Sequence, residues 1–312
     1  MSTGEGPIGI GGIGGSGTRV VAAAVASLGY QLGQDLNGAM DDLSFTLLFK
    51  RPYHFGYENG LVRAECKNAT AAARTFYDAR THFGIRPRHA RVLSRAVLDA
   101  GLHSTGVEIA LPGDHLSRRT RIAWAARRGA QVLKSLREPE SSTPSWGWKE
   151  PNTFVFLPAL YRALPGFRYI HVIRNGLDMV FSRNDFQVRN FGRLYGVEDL
   201  LLSDPPLARL YYWSRANTTV ADFLAGRTGT HVVRYEDVID EPQRTLAELC
   251  SALDLSVSAD PDALVSLIGS SASVGRYREQ DYLQLIERAG EEATAALKRF
   301  GYWNDHLAAA RK

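Results

Sequence analysis

The segment with the clearest chemical meaning lies near the amino terminus, where glycine alternates with isoleucine, serine and threonine. Residues 8–19 read Ile-Gly-Ile-Gly-Gly-Ile-Gly-Gly-Ser-Gly-Thr-Arg, a short apolar strand that enters a glycine-rich turn and then a helix-forming segment. Backbone N–H groups of such a turn, together with the positive end of a helix, form a cradle for an anion. Ser16 and Thr18 add hydroxyl donors to this cradle, so the turn is a candidate site for a phosphate or sulfate group.

Two better-known phosphate-binding patterns do not describe this turn. A Walker A motif requires Gly-Lys followed by Ser or Thr, but Gly17 precedes Thr18 and Arg19, and the turn contains no lysine. Three glycines have the G-x-G-x-x-G spacing of dinucleotide-binding folds, but the first, Gly9, lies within the predicted strand. The alternative interpretation is a turn whose glycines serve only close packing.

A second candidate site follows the apolar strand predicted over residues 167–174. Arg174 lies at its carboxyl end, where ligands of parallel sheets bind. Ser182 follows eight residues later and is predicted to lie early in the next helix. A guanidinium and a hydroxyl so arranged hold a second phosphate. The alternative is an Arg174 ion pair with Asp178 or with a neighbouring loop.

Three further segments place charged or aromatic side chains next to predicted strand ends or loops. Trp-Gly-Trp-Lys-Glu-Pro ends at residue 151 and puts Lys149 and Glu150 at the end of a strand. Arg-Tyr-Glu-Asp over residues 234–237 leads from a strand into a helix. The last is a loop of small residues that contains Gly275, Arg276 and Tyr277.

The order of these segments resembles that of the sulfotransferases that use 3′-phosphoadenosine 5′-phosphosulfate (PAPS). The resemblance implies that residues 14–19 cradle the 5′-phosphosulfate and that Arg174 and Ser182 hold the 3′-phosphate. It also implies that the loop of residues 275–277 closes over the nucleotide, and it places Tyr235 among the residues that bind PAPS. The matches run in order from residue 8 to about residue 278.

The resemblance also identifies a candidate for charge stabilisation. The family usually carries lysine or arginine at the position of Gly15, so charge at the leaving oxygen must come from elsewhere. Lys149 and Arg19 are the candidates. Tyrosylprotein-type members use the lysine of the K-[DE]-P segment near the transferred group, which favours Lys149.

A general base must accept the proton of the acceptor group. In the tyrosylprotein-type branch this base is a glutamate some twenty residues beyond the loop threonine. Asp41 and Asp42 lie at a similar distance from Thr18, and Asp42 is the first choice. Glu150 is the alternative.

The alternation of strands and helices predicts an α/β fold, with a parallel sheet flanked by helices. The resemblance specifies a P-loop-like sulfotransferase fold with a helical insertion on the acceptor side. We expect one domain over residues 1–312, in which residues from about 30 to 140 form the variable acceptor or lid region. Predicted helices include residues 69–140, broken near 84–87 and 112–113, and also 153–164, 177–190 and 263–268.

Composition restricts location and partners. The chain has 312 residues, 37 lysine or arginine and 33 acidic side chains, and its two cysteines, Cys66 and Cys250, are typical of isolated thiols. No apolar run is long enough to span a membrane, and no secretory signal is evident, so we expect a cytoplasmic protein. Arginines cluster within residues 74–95 and 118–128. This pattern is typical of solvated helix faces or of attraction to an acidic ligand.

The expected reaction is in-line, metal-independent transfer of a sulfuryl group to a small-molecule or carbohydrate hydroxyl, or less favourably to an amine, in secondary metabolism. The alternatives are a P-loop-type small-molecule kinase and a nucleotide-binding relative that lacks catalysis. We expect a small-molecule acceptor, no nucleic-acid or membrane partner, and allow for a homodimer.

Overall fold

A computed structural model describes residues 6–50, 62–81, 84–102, 117–137, 145–182, 185–255 and 274–303. Its centre is a five-stranded parallel sheet with the strand order β2-β3-β1-β4-β5. The pairing of β1 with β3 places Ile8 opposite Gly147 and Ile10 opposite Lys149. The predicted α/β fold is confirmed. The strands are β1 (Ile8–Gly12), β2 (Gln31–Leu32), β3 (Trp146–Lys149), β4 (Arg168–Ile173) and β5 (Thr230–Arg234).

Helices flank the sheet and make up most of the described chain. None of those described has the length and apolar character needed to cross a membrane. Up to the end of β3 they are α1 (Thr18–Ser27), α2 (Leu43–Phe45, continued by a π-helical turn Thr46–Lys50), α3 (Val62–Arg80), α4 (Pro87–Leu102) and α5 (Arg118–Arg137). They continue with a 3-10 turn Pro151–Phe156, α6 (Leu157–Ala163), α7 (Gly176–Val180), α8 (Phe186–Phe191) and a 3-10 turn Gly192–Tyr195. The last are α9 (Leu200–Ser203), α10 (Pro205–Leu224), α11 (Tyr235–Asp240), α12 (Pro242–Leu253), a 3-10 turn Arg276–Glu279 and α13 (Tyr282–Arg299).

The chain divides into two compact units. Unit 1 comprises residues 1–10 and 29–169, and unit 2 comprises residues 11–28 and 170–312. The core of unit 1 is aromatic: the fully buried Trp148 ring stacks on Phe45 and Phe167 and meets Phe76 edge-on. A Cβ on Gly9 would lie 3.0 Å from both Trp148 and Phe167, so this glycine serves close packing within the strand.

In unit 2 much of the long helix α10 is buried. Trp213 packs edge-on against Phe300 and Tyr302. Asn217 hydrogen-bonds His171 of β4 at 2.9 Å. Burial lowers the pKa of His171 to about 4, an effect that the Asn217 hydrogen bond opposes.

Several predicted helices have other boundaries. The segment 69–140 contains parts of three helices, and the segment 153–164 begins as a 3-10 turn. The single helix expected over 177–190 is wrong, because α7 ends at Val180 and α8 begins at Phe186. Residues 112–113 and 263–268 lie outside the described ranges.

Candidate functional site

The predicted site residues fall into two groups, one in each unit. The twelve anion-binding candidates lie in unit 2, and the four catalytic candidates lie in unit 1. The structure therefore describes two clusters of side chains.

The glycine turn of unit 2 joins β1 to α1. Gly15 and Gly17 have φ values of +95° and +91°, a conformation that favours glycine. A Cβ on Gly17 would also lie 2.0 Å from the Tyr235 ring, so only glycine fits here without displacing that ring. The turn is held internally by the N–H of Ser16, which donates to the carbonyl of Ile13 at 2.9 Å.

Several donors of this turn have no partner in the described part of the chain. The hydroxyl of Ser16 is fully buried and makes no hydrogen bond. The backbone N–H groups of Gly15, Gly17, Thr18 and Arg19 likewise find no acceptor among the described residues. An unsatisfied buried hydroxyl is costly, and the first N–H groups of a helix lack partners within it. This arrangement has the donor chemistry of an anion site.

Arg174 lies directly after β4 and is buried. Its guanidinium lies 4.9 Å from the centre of the Tyr235 ring and contacts the carbonyl of Gly15 at 3.4 Å. Its own carbonyl accepts the indole N–H of Trp213 at 2.9 Å. The side chain of Glu236 accepts the N–H of the next residue, Asn175, at 2.9 Å. The backbone at Arg174 is thus held by α10 and α11.

Asp178 organises the loop of residues 275–277. Its fully buried carboxylate accepts the N–H groups of Gly275 at 2.8 Å and Tyr277 at 3.0 Å. Its carbonyl accepts two N–H groups of Arg276, at 2.9 and 2.7 Å. Partial burial lowers the pKa of Arg276, and the positive charge of nearby Arg174 lowers it further. Two guanidiniums close enough to repel each other favour an anion beside them.

Ser182 lies beyond α7, and the expectation that it would lie early in a helix is wrong. Its N–H donates to the carbonyl of Met179 at 3.0 Å, and its carbonyl accepts a guanidinium N–H of Arg209 at 3.1 Å. The helix ends at Val180, so Ser182 occupies a bend.

In unit 1, Lys149 ends β3 with its ammonium buried. It donates to the carbonyl of Ala39 at 2.9 Å and forms an ion pair with Asp41. The carboxylate of Asp41 also accepts the side-chain amide of Asn37 at 3.0 Å, and the Asp41 side chain is 20% exposed.

Asp42 caps the short helix α2. One carboxylate oxygen accepts the N–H of Phe45 at 2.9 Å, and the other forms an ion pair with Arg80 at 2.5 Å. Burial raises the pKa of Asp42, an effect that Arg80 and the backbone N–H groups oppose. Both oxygens of this carboxylate therefore have protein partners.

Glu150 is equally enclosed. Its carboxylate accepts the ammonium of Lys50 at 3.0 Å, the backbone N–H of Asn152 at 2.7 Å and the side-chain amide of Asn152 at 3.0 Å. It thereby caps the 3-10 turn that begins at Pro151. No three His, Cys, Asp or Glu side chains of the described ranges are grouped as a metal ion would require.

The sequence matches the model of the sulfotransferase family over residues 7–259, which is most of the chain. The chain belongs to the sulfotransferase family. Among curated proteins, none matches the sequence of this sulfotransferase.

Solved structures with some similarity to this sulfotransferase include three bacterial proteins. The sulfotransferase domain of the curacin biosynthetic pathway is 15% identical, with a TM-score of 0.47 and coverage of 96% of this chain and 98% of that one. The sulfotransferase domain of the Synechococcus PCC 7002 olefin synthase is 16% identical, with a TM-score of 0.43 and coverage of 96% and 97%. Sulfotransferase STF1 of Mycobacterium tuberculosis H37Rv is 14% identical, with a TM-score of 0.41 and coverage of 92% and 76%.

Sequence reasoning missed three polar side chains that position the unit 2 cluster of this sulfotransferase. Asp178 entered only as a partner for Arg174, whereas its carboxylate holds the loop of residues 275–277. Glu236 holds Asn175, and the side chain of Gln187 contacts the glycine turn. No motif spacing indicates these contacts, because each joins segments at least sixty residues apart.

Proposed function

We propose that this sulfotransferase transfers a sulfuryl group from PAPS to a hydroxyl of a small-molecule or carbohydrate acceptor. The observation that carries the proposal is the glycine turn, in which the buried Ser16 hydroxyl and the N–H groups of Gly15, Gly17, Thr18 and Arg19 have no acceptor among the described residues. An anionic 5′-phosphosulfate would satisfy all of them.

The 3′-phosphate would be held by Arg174, Ser182 and Arg276. In support, the pKa of Arg276 is lowered by partial burial and, to a smaller extent, by the charge of Arg174, against the opposing effect of the Asp178 carboxylate, so the two cations lie near each other. A doubly charged phosphate would relieve that repulsion and form charge-assisted hydrogen bonds with both. Tyr235 would keep the Arg174 guanidinium in place through the contact with its ring.

The chemistry would be an in-line displacement in which the acceptor oxygen forms a bond to sulfur as the bridging oxygen leaves. The protein's contribution would be positioning and charge stabilisation, without a metal ion. Lys149 would neutralise charge on the leaving oxygen, and a carboxylate would accept the proton of the acceptor hydroxyl. Asp41 is the carboxylate we favour, because its side chain is 20% exposed, whereas Asp42 and Glu150 are fully buried.

The second candidate function is donor binding without catalysis, and the observation that favours it is Gly15. The family's usual cation is missing at this position. The family match gives no support to the kinase alternative. The cytoplasmic location and the role in secondary metabolism stay predictions.

Calorimetric titration with 3′-phosphoadenosine 5′-phosphate (PAP) tests the proposal. We expect micromolar binding by the wild type, much weaker binding of ADP, and a loss of about 100-fold in the Arg174→Ala variant, since a buried cation that pairs with phosphate is removed. Arg189→Ala removes an exposed arginine of α8 and serves as the control. A wild type that prefers ADP, or that binds neither nucleotide, contradicts the proposal. Sulfation of an acceptor then distinguishes catalysis from binding alone.

A further inference from the structure

The glycine turn is supported by a side chain from outside it. Gln187 of α8 accepts the N–H of Gly14 on its Oε1 at 2.7 Å and donates from its Nε2 to the carbonyl of Gly12 at 3.3 Å. The side chain is 7% exposed. One amide group therefore holds the backbone on both sides of Ile13.

The composition of the turn explains why such a support matters. Five of the seven residues from 11 to 17 are glycine, and glycine loses more conformational freedom on ordering than any other residue. Within the turn, the described backbone contacts include one short hydrogen bond, from Ser16 to Ile13. A turn that ordered only when its ligand arrived would lose affinity to that entropy.

The two hydrogen bonds of Gln187 also decide which groups face a ligand. The N–H of Gly14 is engaged by Gln187, and among the described residues the N–H groups of Gly15, Gly17 and Thr18 find no acceptor. The carbonyl of Gly12, whose partial negative charge would repel an anion, is held by the amide of the same side chain. Gln187 thereby holds the backbone of the turn with this carbonyl occupied.

We propose that Gln187 is a positioning residue for the sulfuryl donor, which fixes the anion-binding conformation of the glycine turn before the donor binds. The inference rests on the proposed function, because the anion is the 5′-phosphosulfate of PAPS. Gln187 touches the turn and acts on the donor only through it.

The test compares three variants by calorimetric titration with PAP. Gln187→Leu keeps the size of the side chain but removes both hydrogen bonds, and we expect PAP to bind about tenfold more weakly, with a less favourable binding entropy. Gln187→Glu keeps an acceptor for Gly14, loses the donor to Gly12 and adds a negative charge, so we expect a loss of tenfold or more. Phe186→Leu, at an exposed neighbour on α8, is the control and should bind like the wild type.

Hydrogen exchange of the Gly14 amide, followed by NMR without ligand, measures the support directly. We expect this amide to be protected in the wild type and in Gln187→Glu, and to exchange rapidly in Gln187→Leu. A purely structural role would lower the midpoint of thermal unfolding but leave the PAP affinity of the folded protein unchanged.

The outcomes separate the two proposals. A wild type that fails to bind PAP overturns the proposed function and this role with it. A wild type that binds PAP, with equal affinity in Gln187→Leu, overturns the role of Gln187 alone. If Gln187→Leu does not fold, Gln187→Met takes its place: wild-type affinity for PAP in that variant overturns the role, and a tenfold loss together with rapid exchange of the Gly14 amide supports it.

Discussion

In the glycine turn of unit 2, the Ser16 hydroxyl and several N–H groups have no partner among the described residues. At the end of β3 in unit 1, by contrast, Lys149, Asp42 and Glu150 each form an ion pair with another side chain. The first cluster thus has donors without protein acceptors among the described residues, as the proposed anion site requires. In the second cluster the protein supplies its own partners, so a catalytic group there must exchange a protein contact for a substrate contact. Burial alone therefore does not identify the groups that react.

The largest effect is expected for Lys149→Ala, which removes the candidate cation of unit 1. If Lys149 stabilises the leaving oxygen, turnover falls about 100- to 1,000-fold, as for other transition-state donors. PAP affinity should change no more than about threefold. Rate assays with an acceptor that the wild type sulfates, beside calorimetry with PAP, check both values. Lys134→Ala, an exposed lysine on α5, is the matched control. Unchanged turnover in Lys149→Ala excludes the catalytic role.

The next test separates two neighbouring aspartates. Asp42→Asn leaves the buried guanidinium of Arg80 without its counter-charge, and we expect the free energy of unfolding to fall by about 3 kcal/mol. Turnover of the folded variant should stay near wild type. Asp41→Asn should instead slow turnover about 100-fold or more, as for a lost general base, with little effect on PAP affinity. Denaturant unfolding and rate assays measure these effects. A stable but slow Asp42→Asn variant would reverse the assignment.

A pH titration tests His171, a buried residue of unit 2 that is not among the twelve anion-binding candidates. Because burial lowers the pKa of His171 to about 4, the unfolded chain gains a proton near its ordinary value of 6.5 while the folded chain does not. Stability is therefore complete above about pH 6.5 and falls as the pH drops toward 4, by up to about 3 kcal/mol. Denaturant unfolding at several pH values measures the slope. His171→Gln should flatten it over this range, and an identical slope in that variant assigns the dependence to other groups.

The smallest effect is expected for Ser16→Ala. The hydroxyl has no partner among the described residues, so its removal should leave the free energy of unfolding unchanged or slightly higher. PAP affinity should fall about tenfold, the typical value of one hydrogen bond to a charged group. Ser214→Ala offers the opposite case, because the Ser214 hydroxyl donates to the carbonyl of Leu210. We expect a modest loss of stability there and wild-type affinity for PAP. If Ser16→Ala binds PAP as tightly as the wild type, the Ser16 hydroxyl does not contact the ligand.

The sequence predicts the sheet well where strands are long and apolar. β4 and β5 follow from apolar runs, and the amino-terminal strand and turn follow from the glycine pattern. β2, with two residues, is too short for any periodicity, and the end of α7 at Val180 follows from no strong breaker. Short elements depend on their tertiary neighbours more than on local preference.

The site residues likewise divide into those with a sequence signal and those that depend on tertiary contacts. The motif order predicts Arg174, Tyr235 and Arg276 as one set of ligand-binding residues, and all three lie in unit 2. The Gln187 contact, by contrast, joins segments 173 residues apart and has no local sequence signal. The caps could have been found: Asp42 precedes a helical segment, and Glu150 precedes a proline that starts a turn. Those signals indicate structural carboxylates, an interpretation that competes with the role of general base.

The position of β1 in the sheet has a consequence for the order of folding during synthesis. This strand pairs with β3, so Ile8 meets Gly147 only after about 140 further residues have left the ribosome. At about 5–20 residues per second, the amino-terminal strand waits roughly 7–30 s for that neighbour. Three of its five residues are glycine, which keeps the waiting segment weakly apolar and poor at pairing with other chains. The glycines of the turn thus continue into a strand whose low apolar content suits the long interval before β3 is synthesised.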